Sequence, residues 1–215
     1  MQAHIKTYES RVTQKRITLL ICGLLLISVA VYAIMAGSIP LSLPELVETL
    51  LGNGTETNKV VVFKIRLPRI FAAILIGAIL AVCGAVMQCV LHNQLASAST
   101  LGVSQGAAFG AAVGILVFGG GTLSRAAAVP VQIDNPYITT VCAFVFGSIT
   151  AFVILALSQI KRTIGAGGLI LAGVAISSLF SAGSTLLQYF ADDTALSAVI
   201  FWTFGNLGGA TWTEI

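Results

Sequence analysis

The sequence predicts an all-α fold, a polytopic transmembrane helical bundle, on three observations. Hydrophobic residues make up 57% of the 215-residue chain and charged residues only 9%, whereas about 25% is usual in soluble domains. The 11 basic and 8 acidic residues lie almost wholly between the apolar runs. Several of those runs are long enough to cross bilayer hydrocarbon, which is about 30 Å thick.

The first predicted span, Ile17 to Met35, follows a basic tail at residues 1–16. A secretory signal peptide would have an apolar core of about 7 to 15 residues. This run has 19 residues, so we predict an uncleaved span and treat residues 17–215 as one transmembrane domain.

Four further spans are predicted from the apolar runs. The clearest is Ile70 to Leu91, 22 residues without Asp, Glu, Lys, Arg or His, which covers roughly 33 Å as a helix. The other three are Leu101 to Phe118, Ile138 to Ile160 and Gly168 to Phe190. Five spans are therefore expected within this chain.

A cytoplasmic basic tail would place the connections at 92–100 and 161–167 inside, and those at 36–69, 119–137 and 191–215 outside. Lys161 and Arg162 would then obey the positive-inside rule. A basic cluster on the outer side would not; it consists of Lys59, Lys64, Arg66 and Arg69. Charge alone leaves two explanations open, docking of an acidic partner and anchoring to lipid headgroups.

Small residues recur at helical spacing in three spans, which indicates close helix packing because lipid supplies no hydrophobic drive between helices. In the third span the glycines are four residues apart. The predicted packing positions are Gly77, Gly84, Gly102, Gly106, Gly110, Gly114 and Gly173. Such stripes favour a tightly packed bundle and say little about activity.

Polar residues within the spans are more selective for function. Gln88 lies in the second span, and the fifth contains a polar group made of Ser177, Ser178, Ser181, Ser184 and Gln188. A lone serine in a membrane usually makes a structural hydrogen bond. Five polar residues within 12 positions favour a water-filled path.

Several chemistries find no support in the sequence. No span has Asp, Glu, Lys, Arg or His at its centre, which disfavours ion-driven transport through carboxylate relays. There is no phosphate-binding G-x-x-x-x-G-K-[ST] loop, so we predict that the chain does not hydrolyse ATP. We also predict no catalytic residues, no cofactor and no metal site, and we interpret the four cysteines as apolar packing residues.

The chain resembles the permease subunits of ABC importers for iron siderophores, haem and cobalamin, the FecCD type. Ordered motifs over some 150 residues carry the resemblance. They are Arg66-Leu-Pro-Arg69, Gly84-Ala-Val-Met-Gln88, Asn93-Gln-Leu-Ala96, Leu101-Gly-Val-Ser104, Gly106-Ala-Ala-Phe-Gly110, Leu169-Ile-Leu-Ala-Gly173, Phe201-Trp-Thr-Phe-Gly205-Asn-Leu and Ala210-Thr-Trp212.

The resemblance implies a type II importer permease of about ten spans, in the cytoplasmic membrane with a cytoplasmic N-terminus. It implies three partners: a second permease subunit, ATP-binding cassette ATPases, and an extracytoplasmic substrate-binding protein. By the same resemblance Arg66 and Arg69 would meet acidic residues of the binding protein. The fifth span would line the translocation path, which supports Ser177, Ser181, Ser184 and Gln188 as pathway candidates, and residues 192–209 would form short external helices. Gln88 is a further pathway candidate from its polarity within the second span alone.

Two departures from the family pattern affect these expectations. Gln94 stands where relatives commonly have proline, so the geometry of that inner turn is open. The chain also stops near the start of a sixth span, and we expect a fragment that lacks the main ATPase-docking loop. The alternatives are a secondary transporter or channel that acts without ATPase partners, and a non-functional truncated permease.

Overall fold

The structure is a computed structural model that describes residues 2–118, 136–160, 165–213 and 215. The predicted all-α architecture is confirmed, since the regular elements in this part of the chain are helices. They are α1 (Gln2–Met35), α2 (Leu43–Leu50), α3 (Glu56–Lys59), a π-helical segment (Val60–Arg66), α4 (Leu67–Leu91), α5 (Val103–Leu116), α6 (Pro136–Ile160), α7 (Ala166–Tyr189) and α8 (Asp193–Phe204).

Among the described residues, four helices are long and apolar enough to cross a membrane. They cover Arg11–Met35, Glu56–Leu91, Tyr137–Gln159 and Gly167–Tyr189. The third predicted span is shorter than expected, because α5 has only 14 residues and a length of about 21 Å, and it is not among these four helices. Leu101 and Gly102 belong to the preceding turn, where Gly102 has a φ of 81°.

The chain divides into two compact units, residues 1–76 with 207–215 and residues 77–206. In the first unit, α2 begins at a capping box in which the Ser42 N–H donates to the Glu45 carboxylate at 2.8 Å. This bond and a second one from the Ser42 hydroxyl lower the pKa of Glu45 from its ordinary value. A small core then joins α2 to its neighbours, formed by Leu41, Leu46, Val61 and Val62 with Ile34, Met35 and Leu67 against them.

In the second unit, α5 packs mainly against α6 and α7. Its buried side is almost all glycine and alanine, with Ile115 added near the end. Ile115 and Ala112 form a core with Ala198 and Val199 of α8, which is one helix, Asp193–Phe204, where short external helices were expected within residues 192–209. Three phenylalanine rings, one each from α5, α6 and α7, also pack together. The ring centroid of Phe109 lies 5.2 Å from that of Phe146 and 5.5 Å from that of Phe180.

The turn after α4 forms with Gln94 at the position where the resemblance led us to expect proline. His92 ends the helix with a φ of 48°, a left-handed conformation that histidine adopts more readily than most residues. The Asn93 side chain then accepts a hydrogen bond from the Leu95 N–H at 2.8 Å, which is a turn characteristic of asparagine. Ala96 is buried at its end.

Candidate docking surface and translocation face

Arg66 lies at the junction of the π-helical segment and α4, and its side chain is buried at 8% exposure. Its guanidinium donates to the carbonyl oxygens of Ile34, Met35 and Ile39. Ile34 and Met35 are in the last turn of α1, where carbonyls lack partners within the helix. Arg66 therefore caps the C-terminus of α1, and its predicted contact with an acidic partner stays a prediction.

Gly37 is the residue that permits this arrangement. Its φ of 156° lies in the range that L side chains rarely adopt, and a Cβ there would come within 2.5 Å of Arg66 Nη2. The chain after α1 thus folds around the guanidinium.

Arg69 is placed differently, since its side chain is exposed and Nη2 donates to the Gly208 carbonyl. Arg69 borders an open hollow of about 410 Å³, which Arg66 also lines and whose other walls include Ser38 and Ala73. Lys64 is also exposed. Lys59, the remaining member of the predicted cluster, forms an ion pair with Glu56 at 3.0 Å. Lys64 and Arg69 are therefore the members of the predicted cluster with exposed side chains.

The predicted polar face of α7 is formed by residues spaced four, three and four apart, namely Ser177, Ser181, Ser184 and Gln188. These positions lie on one side of a helix. Ser177 donates back to the Gly173 carbonyl at 2.8 Å, and Ser178 donates to the Val174 carbonyl at 3.0 Å. Those two hydroxyls are engaged by their own helix.

Ser181 reaches outside its own helix, because its hydroxyl donates to Gln105 Oε1 of α5 at 3.4 Å. Gln105 is exposed, while Gly106 beside it is buried. Sequence reasoning did not predict this contact of Gln105, because Gln105 sits among the glycines that were interpreted as a packing stripe. Its polarity inside an apolar helix was the signal that could have identified it.

The structure does not add Gln88 to this face. The Gln88 amide donates to the Gln94 carbonyl at 3.1 Å, so it stabilises the turn that follows α4. The sequence did not predict this structural contact.

The glycines of α5 lie against neighbouring backbone. A Cβ on Gly106 would collide with Thr150, and one on Gly110 would collide with the Cys142 carbonyl. A Cβ on Gly114 would be 2.9 Å from Thr139 Cα. Gly102 and Gly173 belong to the contact between the turn before α5 and α7, since a Cβ on Gly102 would be 2.9 Å from the Gly173 carbonyl.

Gly77 and Gly84 differ, because a Cβ at either position would meet nothing within 4 Å among the described residues. Packing at these two positions stays a prediction. The predicted connections at 119–137 and 161–167 lie wholly or partly outside the described residues, and so do Asp134, Lys161, Arg162 and Glu214.

A polar face on a helix of membrane length is a candidate lining for a substrate path. Residues 24–215 match the FecCD transport family. The chain belongs to this family, which confirms the resemblance found in the sequence. It is accordingly a multi-pass membrane protein related to ABC transporter permeases.

Relatives of known name support the assignment. The chain is 50% identical over 187 residues to MJ0087 of Methanocaldococcus jannaschii, named as a candidate ABC transporter permease; the match covers 86% of this chain and 52% of that protein. It is 31% identical to the molybdate import permease MolB of Haemophilus influenzae, covering 89% and 54%. It is 34% identical to the vitamin B12 import permease BtuC of Escherichia coli, covering 74% and 45%.

The fold is also similar to a solved structure, an inward-facing conformation of a candidate metal-chelate type ABC transporter. The TM-score is 0.71 at 30% identity, and the match covers 92% of this chain and 56% of that one. The chain thus spans about half the length of the relatives it matches.

Proposed function

We propose that this protein is the membrane-spanning subunit of an ABC importer, and that it moves a metal chelate of the iron-siderophore type by alternating access. Family membership is the observation that carries this proposal. The relatives named above import molybdate and vitamin B12, so the family admits substrates of different chemistry. The choice of a metal chelate rests on the metal-chelate type neighbour and on the uncharged polar face of α7.

The polar face of α7, together with Gln105, is the proposed wall of the translocation path. Hydroxyl and amide groups can contact a large, shielded complex without presenting it with a fixed charge. A bare ion would instead require compensating charged ligands, since an unpaired charge is costly to bury. Exposed polar side chains on otherwise apolar helices are best accommodated beside water.

The protein needs partners for this activity. We propose that separate cytoplasmic ATPase subunits supply the energy, that a substrate-binding protein delivers the chelate, and that a second permease subunit completes the path. ATP and the loaded binding protein would each bind one conformation of the permease more tightly, and this difference in affinity would shift its population.

Lys64 and Arg69 are the proposed docking charges for the binding protein. Both are exposed, and the hollow beside Arg69 has room for a carboxylate side chain. Complementary charge mainly accelerates and orients association. Arg66 is assigned a supporting role, because it holds the backbone from which Arg69 projects.

The proposal is tested by uptake into vesicles that contain the complex purified from its host membranes with its ATPase and binding protein. Uptake of a radiolabelled ferric siderophore, of cobalamin and of molybdate is compared. Each is measured with and without ATP on the side of the membrane that carries the ATPase. We expect ATP-dependent accumulation of the ferric siderophore. ATP-independent accumulation of any of the three would contradict the ABC mechanism, and ATP-dependent accumulation of another substrate alone would replace the siderophore assignment.

The same assay tests the path. Ser181→Leu is expected to reduce uptake strongly, because it places a branched apolar side chain on the polar face. Leu179→Ala is the matched control, since Leu179 is exposed and lies about 160° around the helix from Ser181. Equal uptake by both variants would show that α7 does not present Ser181 to the path.

A further inference from the structure

The amphipathic helix α2 has an exposed apolar stripe on one side. The stripe consists of Leu43, Val47, Leu50 and Leu51, which are 57%, 52%, 50% and 72% exposed. The first three are spaced four and three residues apart and so share one side of the helix. Glu45 and Glu48, which are both exposed, lie on another side.

The other side of α2 fixes its position within the first unit. Leu46 is 4% exposed and Thr49 is fully buried. Leu46 belongs to the core that contains Ile34 and Met35 at the end of α1 and Leu67 at the start of α4. Both α1 and α4 belong to helices of membrane length, so α2 sits where two spans reach the same surface of the bilayer.

Two exposed aromatic residues lie near the same ends of α1 and α4. Tyr32, one turn from the end of α1, is 70% exposed. Trp212 is 51% exposed, and its indole N–H donates to the Phe63 carbonyl at 2.6 Å in the helical segment that precedes α4. Tyrosine and tryptophan are enriched at membrane interfaces, where an apolar ring and a polar tip are both satisfied.

We propose that α2 is an interfacial helix that docks on the lipid surface. The stripe would enter the boundary between headgroups and acyl chains, to a depth of about 5–10 Å as in other amphipathic helices that lie on membranes. Glu45 and Glu48 then face the aqueous side. The capping box at Ser42 and Glu45 supports this arrangement, because it lets a helix of only two turns form at the end of a span.

Lipid docking of α2 would also position the proposed docking charges Lys64 and Arg69. Through Leu46 and the Arg66 cap, the helix is linked to the segment that carries Lys64 and Arg69. An anchored α2 would hold those charges at a fixed height above the bilayer.

Site-directed spin labelling of the complete complex in lipid vesicles tests the proposal. The four native cysteines are replaced by alanine, and a nitroxide is attached at Val47→Cys or, as matched control, at Glu48→Cys. Oxygen concentrates in lipid and a nickel chelate in water, so collision rates with the two reagents report the surroundings of each label. We expect a high oxygen and low nickel rate at position 47 and a higher nickel rate at position 48.

Two results would overturn the proposal. A nickel rate at position 47 as high as at position 48 would place the stripe in water. Low rates with both reagents at position 47 would show that protein covers it. Leu43→Cys serves as a second reporter on the same stripe if the label at position 47 disturbs folding. The measurement uses neither ATP nor substrate, so its result is independent of the proposed import activity.

Discussion

Arg66 and Arg69 are three residues apart and chemically identical, yet the structure gives them different surroundings. The Arg66 guanidinium is buried against three carbonyl oxygens, whereas the Arg69 side chain is exposed and donates to the Gly208 carbonyl, although both line the same hollow. The sequence motif alone does not show which arginine caps a helix and which is exposed. The distinction depends on the chain after Met35, which folds back to Arg66.

Substitution of the two arginines should therefore affect different properties, stability for Arg66 and binding for Arg69. Arg66→Lys is expected to lower the thermal stability of the purified protein, because an ammonium group cannot match the fork that reaches separate carbonyls and hydrogen bonds to charged groups contribute about 1.5–3 kcal/mol. Arg69→Glu should leave stability nearly unchanged and weaken binding of the substrate-binding protein. Thermal unfolding and a binding titration at two salt concentrations measure the two effects.

The assignment of roles would be reversed by the opposite pattern. A stable Arg66→Lys protein with impaired binding, or an unstable Arg69→Glu protein, would show that Arg66 faces the partner. Binding that is unaffected by Arg69→Glu would remove Arg69 from the docking surface.

At the scale of elements, α5 shows why glycine spacing predicted contact but not helix length. Gly106, Gly110 and Gly114 do lie against α6, because a repeat of four residues keeps them on one side of the helix. The apolar run also includes Gly102, whose positive φ starts the helix late. Hydropathy depends on side-chain polarity and not on backbone conformation. The apolar run therefore predicted a longer helix than α5.

Glycines at the α5 and α6 contact differ in the space around them. Gly110→Ala would drive a methyl group into the Cys142 carbonyl, and the required backbone shift is expected to cost about 1–3 kcal/mol. Gly147→Ala is the matched control, because its Cβ would lie at an ordinary 3.5 Å from Ala107 Cβ. That variant should be neutral or slightly stabilising, since alanine favours helix over glycine by about 1 kcal/mol.

Thermal unfolding of the two variants in detergent decides between these expectations. An equal change in melting temperature for both would mean that the α5 and α6 contact is looser than the structure shows. A destabilised Gly147→Ala alone would locate the tight contact elsewhere on α6.

At the scale of the whole molecule, composition and apolar run length predicted the helical membrane fold, and ordered motifs predicted the family. The site was predicted less completely. Ser177, Ser181, Ser184 and Gln188 share a face because helical spacing alone requires it. The hydrogen bond between Ser181 and Gln105 was not predicted, because it depends on which helices meet, and the bond from Gln88 to the Gln94 carbonyl depends on the local turn after α4.

The proposed activity of this protein is that of the permease of an ABC importer. Native mass spectrometry of the complex extracted from host membranes tests that activity most directly. We expect two permease subunits bound to two ATPase subunits, with a binding protein added when substrate is present. A particle that contains this protein without any nucleotide-binding subunit, and that still transports, would contradict it.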